Sequence, residues 1–284
     1  MINDSELILN QDGSVYHLNL LPEDIADTII FVGDQERVPL VSQHFDRIEI
    51  KKGKREFITH TGYLRGKRIS VVSTGIGTDN IDIVINEIDA LFNVDLQTKM
   101  LNPEIRSVDI IRIGTSGSMN PNVATDQIIV SEFAVGFDSL MQFYKKQYTE
   151  EEVGIRDIIT NAFSEFGVKP YVGKANESLV ERYAYDLYKG ITVTAPGFYG
   201  PQGRKVRTQE AAPRFIEVAG SLDLAGRHIT NLEMETAGIY ALSNMFGHRA
   251  ISINAIVASR VDARFSEQPQ AVIQRAILLV LDRF

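Results

Sequence analysis

Apolar runs that end on glycine recur along this chain, separated by stretches whose hydrophobic spacing turns helical. "TIIFVG" (28–33) is a short apolar run closed by Gly33, which predicts a buried strand. "RVPLVSQHF" has helical spacing, and "DRIEIKKG", "EFITHTGYLRG" and "KRISVVSTG" predict three strands between glycine-containing turns. The "GYLRGKR" junction fits a hairpin turn better than a phosphate loop, whose glycine spacing it lacks. "NIDIVINEIDALF" sets Ile83, Ile85, Ile88 and Leu91 along a helix. Further on, "VDIIRIG" (108–114), "DQIIVSEFAV" (126–135), "GITVTAP" and "AISINAIVAS" predict strands. "EVGIRDIITNAFSEFG", "METAGIYALSNMFG" and "PQAVIQRAILLVLDRF" predict helices, the last starting at a proline. Alternating strands and helices, with no repeat or linker, predict one α/β domain over residues 1–284 around a central mixed sheet.

Composition narrows the chemistry. The 284 residues are 44% hydrophobic and 23% charged, enough for a sizeable core. A net charge of −8 with no basic run argues against nucleic acid as a partner, although a local arginine cluster would still accept a small anion. There is no cysteine, which excludes disulfides, thiolate metal sites and a cysteine nucleophile. The five histidines show no metal spacing. The acidic, polar start "MINDSELILNQDGS" does not read as a signal peptide, and the apolar run at 276–281 is too short to span a bilayer. A cytoplasmic location without membrane contact is the expectation.

Four segments hold candidate chemistry. In "VGDQERV", a helix starting after Gly33 would set free N–H groups beside Arg37, an anion site; a plain strand–turn–helix with a surface arginine is the simpler alternative. "RIGTSGS" places Arg112 in an apolar run before an expected Gly/Thr/Ser turn. An arginine is seldom buried unpaired, so Arg112, Thr115 and Ser116 together suggest an oxyanion cradle. "NLEMET" carries Glu233 and Glu235, fit either to grip vicinal sugar hydroxyls or to form an acidic first helical turn. In "FYGPQGR" (198–204), an extended loop would point Gln202 and Arg204 to one side, beside the face of Phe198. "STGIGTDN" offers Gly75 and Gly77 but no third glycine, a weak dinucleotide signal.

Taken in order, "VGDQERV", "KREF", "STGIG", "RIGTSGSMNP", "FYGPQGR", "LEMETAG" and "IVASR" resemble the nucleoside phosphorylase-I family, and within it the uridine-cleaving branch. The resemblance runs from His17 to the last helix. It implies a partly barrel-like mixed sheet flanked by helices, and a pentosyltransferase that uses inorganic phosphate as co-substrate, without a cofactor, to split uridine into uracil and ribose 1-phosphate. It assigns phosphate to Gly33, Arg37, Arg112, Thr115 and a neighbouring subunit's Arg55. Ribose falls to Glu233, Met234, Glu235 and the neighbour's His17, and the base to Phe198, Gln202, Arg204 and Arg260. Gln202, Arg204 and Arg112 would carry catalysis. A homodimer is the implied minimal active unit, with a hexamer as the larger alternative.

Relatives that bind a monovalent cation such as potassium do so at positions matching Glu56, Ile76 and Asn80, where Asn80 replaces the usual serine. Purine-specific relatives carry an aspartate near "VASRV"; here Ser259 and Arg260 stand there, with Asp262 displaced. A purine or other nucleoside phosphorylase, a nucleosidase, and a non-catalytic nucleoside-binding protein are the competing readings. The connection 94–107 is longer than usual in the family.

Overall fold

The computed structural model describes residues 2–208 and 214–284. In chain order its elements are β1 (Thr28–Val32), α1 (Arg37–Ser42), β2 (Arg47–Lys54), β3 (Phe57–Leu64), β4 (Lys67–Ser73) and α2 (Thr78–Asn93). There follow β5 (Val94–Asp95), β6 (Met100–Leu101), β7 (Asp109–Ser118), β8 (Ile128–Gly136), α3 (Glu150–Ala162) and β9 (Tyr171–Lys174). The chain closes with α4 (Glu177–Tyr183), β10 (Tyr188–Thr194), α5 (Phe215–Ser221), β11 (Ile229–Glu233), α6 (Thr236–Phe246), β12 (Arg249–Ser259), β13 (Arg264–Phe265) and α7 (Pro269–Asp282).

Eleven strands form one mixed sheet, in the order β13-β12-β8-β10-β11-β7-β1-β4-β3-β2, with β9 added to β8. Strand β12 pairs with β8 on one side and with β7 on the other. The circuit β7–β11–β10–β8–β12 therefore closes on itself as a five-stranded barrel, from which β1, β4, β3 and β2 extend as an open sheet. The expected α/β fold with a partly barrel-like mixed sheet is present. The open side ends at β2, whose residues alternate exposed and half-buried and which bulges between Ile48 and Ile50.

The runs that predicted strands are those with both faces covered. Ile29, Ile30, Phe31 and Val32 of β1 are fully buried, as are Ile110 and Ile111 of β7. A strand packed on both sides by helices or barrel interior has no polar face to alternate with, hence the unbroken apolar runs.

Helix α2 buries Ile81, Val84, Ile85, Ile88 and Leu91, while Ile83 is only partly buried; the apolar stripe is rotated from the one expected through Ile83. Helix α3 begins with a reciprocal cap in which Thr149 accepts from the Glu152 amide and Glu152 accepts from the Thr149 amide. The long connection at 94–107 holds the β5–β6 hairpin, whose Lys99 carbonyl accepts from the Ile2 amide.

Two local expectations fail. The Gly/Thr/Ser segment after Arg112 is not a turn: β7 continues to Ser118, because β12 pairs with it in parallel from Arg249–Asp109 through Ser259–Ser118. The 198–204 loop is not extended: Gly200–Gln202 is a 3-10 turn and Gly203 sits at φ 65°, a left-handed conformation that glycine adopts without strain.

Candidate active site

Strands β1 and β12 run parallel to β7 and β11 runs antiparallel to it, and all four carry residues to one place. Here β1 delivers Gly33 and, one turn on, Arg37; β7 delivers Thr115 and Ser116; β11 delivers Glu233, Met234 and Glu235; β12 delivers Ser259 and Arg260. All of these line one cavity of about 970 Å³, together with Arg112, Phe198, Gln202 and Arg204.

At its floor lies Arg112, buried within β7. One terminal nitrogen donates to Glu235 Oε2 at 2.6 Å and lies 2.9 Å from Glu233 Oε2. The other donates to Asn254 Oδ1 at 3.2 Å and Ser252 Oγ at 3.3 Å. Burial works against the Arg112 charge, but the two carboxylates outweigh it and the guanidinium pKa is raised. The guanidinium folds back over Gly114, where a Cβ would sit 1.7 Å from Nη1. Only glycine leaves that space, which explains the Arg-Ile-Gly order.

Nearby, Arg37 starts α1 and is half-buried. It donates to the Ile113 carbonyl at 3.3 Å, and among the described residues it forms no salt bridge. Burial and then the charge of Arg112 lower its pKa. Two guanidiniums held near one another with one of them short of a carboxylate leave a positive region that suits an anion.

The two glutamates behave differently. Glu233 accepts from Thr194 Oγ1 at 2.7 Å, from the amides of Glu235 and Thr236, and from Thr236 Oγ1. With Arg112 added, both its oxygens are engaged by protein, and it caps the start of α6. Glu233 nevertheless lines the cavity beside Glu235. Glu235 accepts from the Gly77 amide at 2.8 Å and from Arg112, one partner on each oxygen, so each keeps a lone pair for a hydroxyl. Burial pushes the Glu235 carboxyl pKa up, against the pull of Arg112.

At the other end, the turn brings Gln202 and Arg204 together after all. Arg204 donates to Gln202 Oε1 and, at 2.7 Å, to the Phe198 carbonyl, and its guanidinium lies 3.8 Å from the Phe198 ring centroid. Gln202 is buried. Burial, then the charge of Arg260, lowers the Arg204 pKa. Arg260 donates to the Gly203 carbonyl at 2.8 Å and so holds the turn, and its buried Nε has no protein partner among the described residues. Asp262 is exposed and accepts from the hydroxyl of Ser259, a residue of the cavity wall.

His17 and Arg55 do not reach this cavity. His17 Nδ1 lies 2.6 Å from Glu87 Oε1, and its ring packs edge-on against Tyr16 and Phe57. Arg55, at φ 57° in the β2–β3 turn, is exposed and faces the same Tyr16 ring. The two residues expected to serve a neighbour thus share one patch.

Glu56, Ile76 and Asn80 do line the cavity, and Asn80 Nδ2 donates to Glu56 Oε1 at 3.2 Å. No group of three or more His, Asp or Glu among the described residues is placed to hold a metal. No helix among them is long and apolar enough to cross a membrane.

Sequence reading missed Phe265 and Arg264, which line the cavity from β13. It also missed Asn254, although a polar residue inside the apolar run "AISINAIVAS" is the signal that exposed Arg112.

A family profile described as the phosphorylase superfamily matches residues 27–282. A uridine phosphorylase of Thermococcus kodakarensis is 32% identical over 259 residues, covering 90% of this chain and 82% of its own. A DeoD-type purine nucleoside phosphorylase of Streptococcus suis is 23% identical and covers 87% of each chain. The crystal structure of a Trypanosoma brucei nucleoside phosphorylase, described as showing uridine phosphorylase activity, superposes with a TM-score of 0.90 at 30% identity over 98% of both chains. The profile spans most of the sequence, and the chain belongs to the phosphorylase superfamily.

Proposed function

We propose that the chain is a uridine phosphorylase, a pentosyltransferase that converts uridine and inorganic phosphate reversibly into uracil and ribose 1-phosphate. One observation carries this reading: a single cavity holds an anion end, Arg37 with Arg112, and an amide–guanidinium end, Gln202 with Arg204, with Glu235 among its walls. The names of the Thermococcus and Trypanosoma relatives support it. The uracil edge presents carbonyl, N–H and carbonyl, which an amide and a guanidinium side by side can match.

Cleaving the ribosyl–uracil bond builds negative charge on the base and positive charge on the sugar. Arg204 and Gln202 stabilise the departing uracil anion, Arg260 holds their turn, and the Phe198 side chain packs the ring. Gly33, Arg37, Arg112 and Thr115 hold phosphate for attack at C1′, which removes most of the encounter entropy. Glu235, beside Met234, accepts from the ribose hydroxyls, and Glu233 positions Arg112 and α6. No covalent enzyme intermediate is needed. His17 and Arg55 complete the site of a second copy, making a homodimer the minimal active unit.

Uracil release from uridine, measured with and without phosphate over a panel including inosine, tests the reading. Release only with phosphate and only from pyrimidine nucleosides is expected. Equal rates without phosphate would make the enzyme a nucleosidase, and a preference for inosine would make it a purine phosphorylase.

A further inference from the structure

The interior of the five-stranded barrel is crossed by a chain of polar side chains, fully or nearly fully buried. Arg112 of β7 donates to Asn254 Oδ1 of β12 at 3.2 Å. Asn254 Nδ2 donates to Ser131 Oγ of β8 at 2.9 Å. Ser131 and Thr192 of β10 are 2.5 Å apart, and Thr192 donates to Asn231 Oδ1 of β11 at 2.8 Å. Asn231 Nδ2 then donates to Ser116 Oγ, back on β7, at 2.9 Å. Each barrel strand contributes, and the circuit begins and ends on residues that line the cavity.

The Arg112–Asn254 direction is forced, and with Asn231 oriented as it stands every other bond runs the same way. A guanidinium only donates, so Asn254 must present its oxygen to Arg112 and its N–H₂ to Ser131. Thr192 has one proton, and with that proton given to Asn231 the Ser131 hydroxyl must donate to Thr192. Ser116 therefore accepts from Asn231 and keeps its own proton free, on a residue of the cavity wall. A chain that starts on a cation and runs one way polarises each successive donor.

We propose that this chain fixes Arg112 and makes the Ser116 hydroxyl a donor to an anionic oxygen in the cavity, with Asn254, Ser131, Thr192 and Asn231 as positioning residues. The proposal rests on the phosphorylase reading, which supplies two such oxygens: those of phosphate and the carbonyls of departing uracil.

Thr192→Val keeps the shape, touches no ligand, and cuts the chain at its middle. Thr192→Ser is the conservative control and Ser116→Ala removes the terminal donor. Binding of inorganic phosphate alone and of uracil alone by calorimetry, together with KM and kcat, gives the readout. Thr192→Val and Ser116→Ala should each weaken one of the two ligands by about five- to ten-fold, the loss of one hydrogen bond, and that ligand identifies the acceptor. Thr192→Ser should bind like wild type, and the double variant should be no worse than Ser116→Ala, because both remove the same interaction.

Should Thr192→Val fail to fold, Asn231→Asp replaces the donor facing Ser116 with an acceptor and should give the Ser116→Ala phenotype. Ser116→Ala with wild-type affinity for both ligands, or additive effects in the double variant, would overturn the proposal while the phosphorylase reading stands. Wild-type protein that binds neither phosphate nor uracil would overturn both.

Discussion

Replacing Arg37 by methionine should separate stability from function, with opposite signs. In the free protein Arg37 is half-buried, with one 3.3 Å bond to a carbonyl and the Arg112 charge nearby. Methionine keeps the apolar stem, loses that single bond and the attraction of Asp34 and Glu235, and relieves the repulsion from Arg112. The net change in unfolding free energy should lie within about 1 kcal/mol, in favour of the variant. For a chain of this size that is a melting point unchanged or raised by about 2 °C.

Phosphate binding should collapse, because two charge-assisted bonds to an anion are worth about 3–5 kcal/mol together. That corresponds to a roughly hundred- to several-thousand-fold loss in kcat/KM for phosphate. Thermal melts with and without phosphate make the contrast direct. Phosphate at a hundred times its Kd should stabilise wild type by about 2.7 kcal/mol and leave the variant unmoved. A variant that melts several degrees lower in phosphate-free buffer would show Arg37 to be a structural arginine. A variant that keeps the phosphate-induced shift would show that the anion binds elsewhere.

Gly114→Ala places a methyl 1.7 Å from Arg112 Nη1 against a guanidinium fixed by four partners. A loss of more than about 3 kcal/mol in denaturant unfolding is expected, at the upper end for a core substitution. Burial raises the Glu235 pKa above its ordinary 4.5. The folded state then holds more protons than the unfolded, so this carboxyl's contribution to stability falls as pH rises from 4.5 through the folded pKa. If ionised Glu235 accepts from ribose, the acid limb of kcat/KM should lie above pH 4.5 and disappear in Glu235→Gln; an unchanged limb would assign it to another group. Mixing Arg55→Ala with Glu235→Ala chains should restore about a quarter of wild-type activity, since half of random dimers are mixed and each has one intact site. No recovery in doubly tagged dimers would place Arg55 outside a partner's site.

Much of the site was legible because buried strands leave few places for charge. Arg112 stands out in "VDIIRIG" for that reason, and Gly33 for ending an apolar run. The roles came from the resemblance, since spacing alone left "NLEMET" open between sugar contact and helix cap. Glu233 is buried at the end of β11, and one of its partners is Thr194, 39 residues away in sequence, which no local pattern announces. The barrel was hidden for the same reason: its closure pairs β12 with β7 across 140 residues, and both strands read simply as buried. The failure at 198–204 was a matter of degree, because glycine and proline announce a turn without fixing its type. Gln202 and Arg204 converge through a tight 3-10 turn rather than through alternation.

Closing the barrel leaves the sheet with three margins: β9 is packed by α3 and α6, and neither of the other two invites another chain. One is β13, two residues long; the other is β2, "RIEIKKGK", with Arg47, Glu49 and Lys51 exposed along it and a bulge at its middle. Charge, brevity and local twist each discourage strand addition. A protein whose core is this rich in isoleucine and valine strands would otherwise carry a template for fibrous growth. The proposed homodimer would therefore form through side-chain surfaces, such as the Tyr16–His17–Arg55 patch, and not by one copy extending the other's sheet.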